Sequence, residues 1–158
     1  MDNQRTSVLD RNLYLIVESE FDGSIIRTLL DCNGFKNVYT VPAGGYRNIP
    51  SLIRTLRLMC NKNDVIIGIC DADSEKEEDI AERLSSMKIL SKADVSEVKI
   101  EIFCFVPTLD ILFKDYTGYR KNKIDAGLID YMKSNYDILI NNNTIADIRA
   151  FLSMYNQN

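Results

Sequence analysis

The chain predicts an α/β fold: a mostly parallel sheet of about four strands, helices on both faces, and a helical appendage at the C-terminal end. Three observations carry this expectation. Short apolar runs rich in Val and Ile, N-L-Y-L-I-V over residues 12–17 and V-I-I-G-I-C over residues 65–70, fit strands buried on both faces of a parallel sheet. Amphipathic stretches separate the runs, in the order strand-helix-strand-helix-strand-helix-strand. Both runs also end in acid: Glu18 follows the first, and Asp71 follows the second with Asp73 two residues on. Ligands of open α/β sheets bind at the carboxyl ends of the strands. Two strands are therefore expected to bring three carboxylates to one crevice.

Each element has its own signal. After Glu18 comes S-E-F-D-G, where Asp22 or Ser24 can cap a helix running to about residue 33. Its apolar stripe is Ile25, Ile26, Leu29 and Leu30, and Asn33-Gly34 is its stop. Residues 37–41 read as a short second strand, and Pro42-Ala43-Gly44-Gly45 as a loop. Pro50 suits the first turn of a helix over 51–60. The third strand is 65–70, the next helix 79–87, and the fourth strand 99–106, with Ile100, Ile102, Phe103, Phe105 and Val106. Beyond it, 108–113, 124–134 and 144–155 read as helical, with a turn at 141–143 and Thr144 as the last cap. No internal repeat is visible. A single domain over 1–158 is expected, with its core at about 12–106 and a helical extension at about 107–158.

Composition narrows the chemistry. The 158 residues can enclose a sizeable core, and no apolar stretch is long enough to span a bilayer. Residues 1–11 are polar, so no secretory signal is expected. Cys32, Cys60, Cys70 and Cys104 occur singly, without C-x-x-C spacing, which predicts buried free thiols and a reducing, cytoplasmic setting. The chain has no histidine, which excludes Ser-His-Asp, Cys-His and His-ligated metal chemistry. It lacks G-x-x-x-x-G-K-[ST] and so is not itself a P-loop ATPase.

The net charge of −4 is unevenly spread. Residues 32–63 hold no acid but carry Lys36, Arg47, Arg54, Arg57 and Lys62; residues 71–82 hold seven acids and one Lys. A basic face beside an acidic pocket suits a metal-dependent phosphodiester site, although an ordinary mixed surface reads the same way.

Carboxylates are hard oxygen ligands, and Glu18, Asp71 and Asp73 point to Mg²⁺ or Mn²⁺ as cofactor. Asp71 and Asp73 are two apart on what should be extended chain, so their side chains are expected on the same side. Glu18 fits either a metal ligand or a general base. Glu20, Asp22, Glu75 and Glu77 fit a supporting layer or plain surface, and Asp22 alternatively a helix cap. Arg47 offers a planar fork for a phosphate. Arg54 and Arg57, on consecutive turns, read as a solvated face ahead of phosphate contacts. Residues 114–123 read K-D-Y-T-G-Y-R-K-N-K. Tyr116 and Tyr119 there lie among Lys114, Arg120, Lys121 and Lys123, which suits either single-strand stacking or an exposed loop.

Glu18 with Asp22, and D-A-D-S-E-K-E from Asp71 with Asp73, Glu75 and Glu77 at its acidic positions, resemble the two acidic motifs of the toprim domain. That Rossmann-like domain is shared by topoisomerases, bacterial primases, small RNA maturases and the overcoming-lysogenization-defect nucleases. The loop P-A-G-G at 42–45 resembles the second-strand loop of the nuclease branch, and F-V-P-T-L-D at 105–110 loosely resembles a P-x-x-E element of stand-alone members. The resemblance covers about residues 12–106. Ser19 departs from it where the family usually has Gly, Lys76 stands where topoisomerases carry Gly, and Tyr46-Arg47 stand where the nuclease branch often has Lys.

The resemblance implies a metal-dependent nuclease acting on DNA or RNA, with phage defence as a possible setting and an ATPase as a possible partner. The alternative it leaves open is a non-catalytic or partner-dependent toprim subunit. A receiver-like phosphoacceptor domain ranks below both, because the fourth strand ends in Phe105-Val106-Pro107-Thr108 without the Lys such domains carry.

Overall fold

The computed structural model describes residues 10–156. Residues 1–9, which hold most of the polar stretch behind the expectation of no secretory signal, lie outside the described residues, as do 157 and 158. The element order is β1 (Asn12–Val17), α1 (Glu20–Leu29), β2 (Asn37–Pro42), α2 (Ile49–Met59), β3 (Val65–Asp71), α3 (Glu77–Leu90), β4 (Lys99–Phe105), α4 (Ala126–Ser134), α5 (Tyr136–Leu139) and α6 (Asn143–Ser153). Short 3-10 turns occur at Tyr46–Asn48, Ala93–Val95 and Leu109–Phe113. The four strands form one parallel sheet in the order β2-β1-β3-β4, as the alternating pattern predicts.

The central strands β1 and β3 bury both faces, which is why their sequences run apolar without alternation. Leu13, Leu15 and Val17 of β1, with Val65, Ile67 and Ile69 of β3, pack on one face against α1 and the C-terminal helices. Ile16, Ile66, Cys70, Ile100, Ile102 and Cys104 pack on the other against Ile49 and Ile53 of α2 and Met87 of α3. Edge strand β2 is mostly exposed, with only Val38 and Val41 half-buried. All four cysteines are free thiols, and burial pushes the Cys60 thiol up to about 11. Among the described residues no helix is long and apolar enough to cross a membrane.

The tail is more than an appendage. Ile145, Ile148 and Leu152 of α6 are fully buried in the same cluster as β1 and β3, so α4 to α6 complete one layer of the core. Truncating one such residue to Ala costs about 2–5 kcal/mol.

Several caps fall elsewhere than the sequence suggests. Ser19, not Asp22 or Ser24, caps α1 by accepting from the Asp22 N–H, and Asp22 lies inside the first turn. Helix α1 ends at Leu29, ahead of Asn33-Gly34. Asn142, not Thr144, caps α6 by accepting from the N–H groups of Thr144 and Ile145. Where polar residues crowd a helix start, several can reach an orphan N–H and the local backbone decides between them. Two extents also differ: α3 is longer than 79–87 at both ends, and α5 is a further short helix.

Candidate active site

The strand order creates a switch point. From β1 the chain goes to β2 on one side, then crosses back through α2 to β3 on the other. The crevice between the carboxyl ends of β1 and β3 is where an open α/β sheet binds its ligand, and Glu18 and Asp71 flank it. They are tied together: the Asp71 N–H donates to Glu18 Oε2 at 2.9 Å. Asp71 Oδ1 in turn accepts from the Leu109 N–H at 2.8 Å. Among the described residues, each carboxylate keeps its second oxygen outside these backbone bonds.

The β2–α2 loop closes one side of the crevice. Gly44 and Gly45 have φ of 77° and 127°, a region open to glycine and costly for other residues. With that geometry both N–H groups reach the Glu18 carbonyl, at 2.9 and 3.0 Å. The loop thus fixes the backbone from which the Glu18 side chain projects.

Asp73 departs from expectation. The chain beyond Asp71 is not extended: Asp73 adopts φ 57° while its N–H donates to the Pro107 carbonyl at 2.9 Å. The left-handed turn breaks the two-residue alternation, so Asp71 and Asp73 diverge. Asp71 points to Leu109, and Asp73 Oδ2 lies 3.5 Å from Arg83 Nη1.

The acids that do converge disfavour one another's charge. Burial, then the neighbouring Glu18 charge, pushes Asp71 up to about 7, against the lowering effect of the Leu109 N–H. Burial also raises Glu18, partly offset by the Asp71 hydrogen bonds, with Asp22 and Asp73 adding repulsion. Asp22 is raised by burial and by Asp110, against its Ser19 bond and the Lys121 charge. Asp22 therefore belongs to the same electrostatic group. Glu20, Glu75 and Glu77 are exposed, and no resolved bond or ion pair joins any of them to Glu18, Asp71 or Asp73; Glu77 is the first residue of α3.

The expected basic residues divide. Arg47 is exposed beside the glycine loop, its Nε donating to the Tyr46 hydroxyl at 3.3 Å. Arg54 donates to the Leu90 carbonyl at the end of α3, and Arg57 has its Nε buried without a partner. Tyr116 and Tyr119 face inward, stacked on Tyr131 at 4.7 Å and Phe113 at 4.9 Å, which overturns a stacking platform for bases in that segment.

Three residues of the crevice were not picked out as site residues by sequence. Arg83 of α3 donates to the Asp71 carbonyl at 2.7 Å. Tyr46 supports it, the guanidinium lying 3.8 Å from the ring centroid. Asp110 accepts from the Tyr119 hydroxyl and lies 3.9 Å from Lys121 Nζ. For Asp110 a signal existed in the P-T-L-D segment. For Arg83 and Tyr46 none did, because both act across long sequence separations.

Among the described residues no group of three or more His, Cys, Asp or Glu side chains is arranged to hold a metal ion. Mg²⁺ needs fewer, since it keeps several waters and binds through one or two carboxylates plus substrate phosphates. The Glu18–Asp71 pair, all oxygen and with its charge poorly compensated, fits that chemistry. No protein-family model, no curated protein and no solved structure matches the chain.

Proposed function

We propose that the chain is a metal-dependent nuclease of toprim type, cleaving phosphodiester bonds in DNA or RNA with Mg²⁺ or Mn²⁺. The observation that carries this reading is the hydrogen-bonded Glu18–Asp71 pair at the switch point of the sheet, with Asp22, Asp73 and Asp110 around it. A bound divalent cation would polarise a phosphoryl oxygen and make a nucleophile of water at neutral pH. Asp71 and Glu18 would hold it, and Glu18, if it keeps an oxygen free, would accept the proton of the attacking water. The glycine loop keeps Glu18 in place, and Arg47 binds a flanking phosphate through its fork.

One observation favours the second reading, a partner-dependent subunit. Leu58, Met59, Ile89, Leu90 and Val95, at the ends of α2 and α3 and in the turn after α3, are 54–80% exposed. Apolar exposure of this kind marks protein contact surfaces.

The test is an assay with Mg²⁺ or Mn²⁺ against plasmid, linear duplex, single-stranded DNA and RNA, beside calorimetric metal titration. Metal-dependent cleavage of at least one substrate is expected. Absence of both cleavage and metal binding overturns the nuclease reading, and cleavage only in complex with a co-purifying ATPase selects the second.

A further inference from the structure

We infer that Arg83 keeps the acidic centre in an open, two-carboxylate state, and that a divalent cation completes it by drawing Asp73 away from the Arg83 guanidinium. This rests on the metal-dependent reading above and deepens it: Arg83 becomes a positioning residue that sets how readily the centre loads.

The contacts of Arg83 are of unequal strength. Its bond to the Asp71 carbonyl is short, 2.7 Å, and charge-assisted. Tyr46 backs the guanidinium face at 3.8 Å, an arrangement that favours a cation held in place. The Arg83 side chain is only 19% exposed. Its contact with Asp73 is different: 3.5 Å long, to a carboxylate that is 53% exposed. Half-exposed ion pairs of that length are worth little. One guanidinium thus has a firm anchor on the end of β3 and a loose tether to Asp73.

The Asp73 backbone is not free to move with its side chain. Its N–H is held by the Pro107 carbonyl at 2.9 Å, and the preceding Ala72 N–H by Phe105 at 2.9 Å. The exchange is therefore a side-chain event on a fixed turn. Asp73 already lies close enough to add to the repulsion felt by Glu18 and Asp71. A dication at those two carboxylates would compete with a single guanidinium charge for the third. The competition explains two observations together: Asp73 turns away from Asp71 toward Arg83, and among the described residues no three carboxylates form a ligand group.

Arg83 is a competitor as well as an anchor, and the two roles give opposite results. Mn²⁺ is titrated by calorimetry into the native protein, Arg83→Gln, Arg83→Lys, Asp73→Asn and the Arg83→Gln/Asp73→Asn double variant, each checked for native-like thermal unfolding. Arg83→Gln is expected to tighten the Mn²⁺ Kd by about two- to fivefold, the worth of a half-exposed ion pair. Its effect should vanish in the Asp73→Asn background, because the coupling runs through that side chain. Arg83→Lys, which keeps the charge, should stay near the native affinity. An unchanged or weakened affinity in Arg83→Gln, an equal change in both backgrounds, or a Lys variant that behaves like Gln overturns the inference while leaving the metal site standing. Absence of Mn²⁺ binding in all five proteins would instead take down the metal reading itself, and this inference with it.

Discussion

Asp71 and Glu77 are six residues apart in the most acidic stretch of the chain, and they occupy opposite environments. Asp71 ends β3 against Glu18, half-buried, with its carboxyl pushed up to about 7 by burial and neighbouring charge. Glu77 opens α3 on the exposed surface, with Glu78 and Asp79 beside it in the first turn, where the helix dipole welcomes negative charge. One acid is held at a cost in stability and the other contributes to it. Density of acid along a sequence therefore does not locate a site; convergence of acids from different strands does. Glu18 comes from 53 residues away to meet Asp71, whereas Glu75 and Glu77 remain on the surface.

The largest expected effect tests that contrast directly. Asp71→Asn, Asp73→Asn and Glu18→Gln should each reduce metal-dependent cleavage by more than about 100-fold, since loss of mere supporting partners at metal sites costs about 10–100-fold. Glu75→Gln and Glu77→Gln should stay within about twofold. Rate measurements over a Mn²⁺ titration also separate the two roles of Glu18. If it is chiefly a ligand, Glu18→Gln raises the Mn²⁺ requirement and excess Mn²⁺ partly restores the rate. If it is chiefly a base, metal affinity is kept and turnover is lost, because the amide cannot take a proton. Similar losses at all five positions would erase the distinction between the two regions.

The same contrast marks how far the sequence could be read. The four strands were legible because burial on both faces leaves unbroken apolar runs, and Glu18 and Asp71 were legible because they end those runs. Asp73 was half legible: its place just past β3 followed from the apolar run, but its direction depended on a left-handed turn that Asp tolerates and sequence does not announce. Arg83 was invisible, since nothing in E-E-D-I-A-E-R-L links it to a tyrosine 37 residues earlier. Tyr119 stayed open between two readings, because Tyr among cations looks the same whether the ring faces water or Phe113.

A second, smaller effect concerns stability in the absence of metal. The carboxyl of Asp71 titrates near 3.8 when unfolded and near 7 when folded. The native state therefore holds this proton more tightly, and metal-free stability falls as pH rises from about 4 to 7, then levels off. Asp71→Asn removes that loss while its side-chain oxygen still accepts from Leu109. With chelator present, the variant should melt about 2–4 °C higher than the native protein at pH 8, a modest gain because the group is partly solvated. The gain should shrink toward pH 4. Glu77→Gln should shift stability the other way, by about 0.5 kcal/mol or less. Calorimetric melts at pH 4, 6 and 8 read both signs, and a pH-independent Asp71→Asn effect would mean that the carboxyl carries no trapped proton.

The smallest effect belongs to the basic side of the crevice, where binding rather than chemistry is at stake. Arg47 is exposed, and its loop is pinned to the Glu18 carbonyl through Gly44 and Gly45. A phosphate beside the one being cleaved would lie within its charge, and releasing its counterions would show in the salt dependence. Arg47→Ala, measured by fluorescence anisotropy on short duplex and single-stranded oligonucleotides in an Asp71→Asn background, should weaken binding. It should also reduce the slope of log K against log salt by about one unit. Lys123→Glu is the cleaner companion to Lys121→Glu, because Lys121 already faces Asp110 and its reversal would disturb the acidic side as well. If Arg47→Ala and Lys123→Glu leave affinity and slope unchanged, the basic residues are ordinary surface. The exposed apolar ends of α2 and α3 would then become the better guide to what this chain binds.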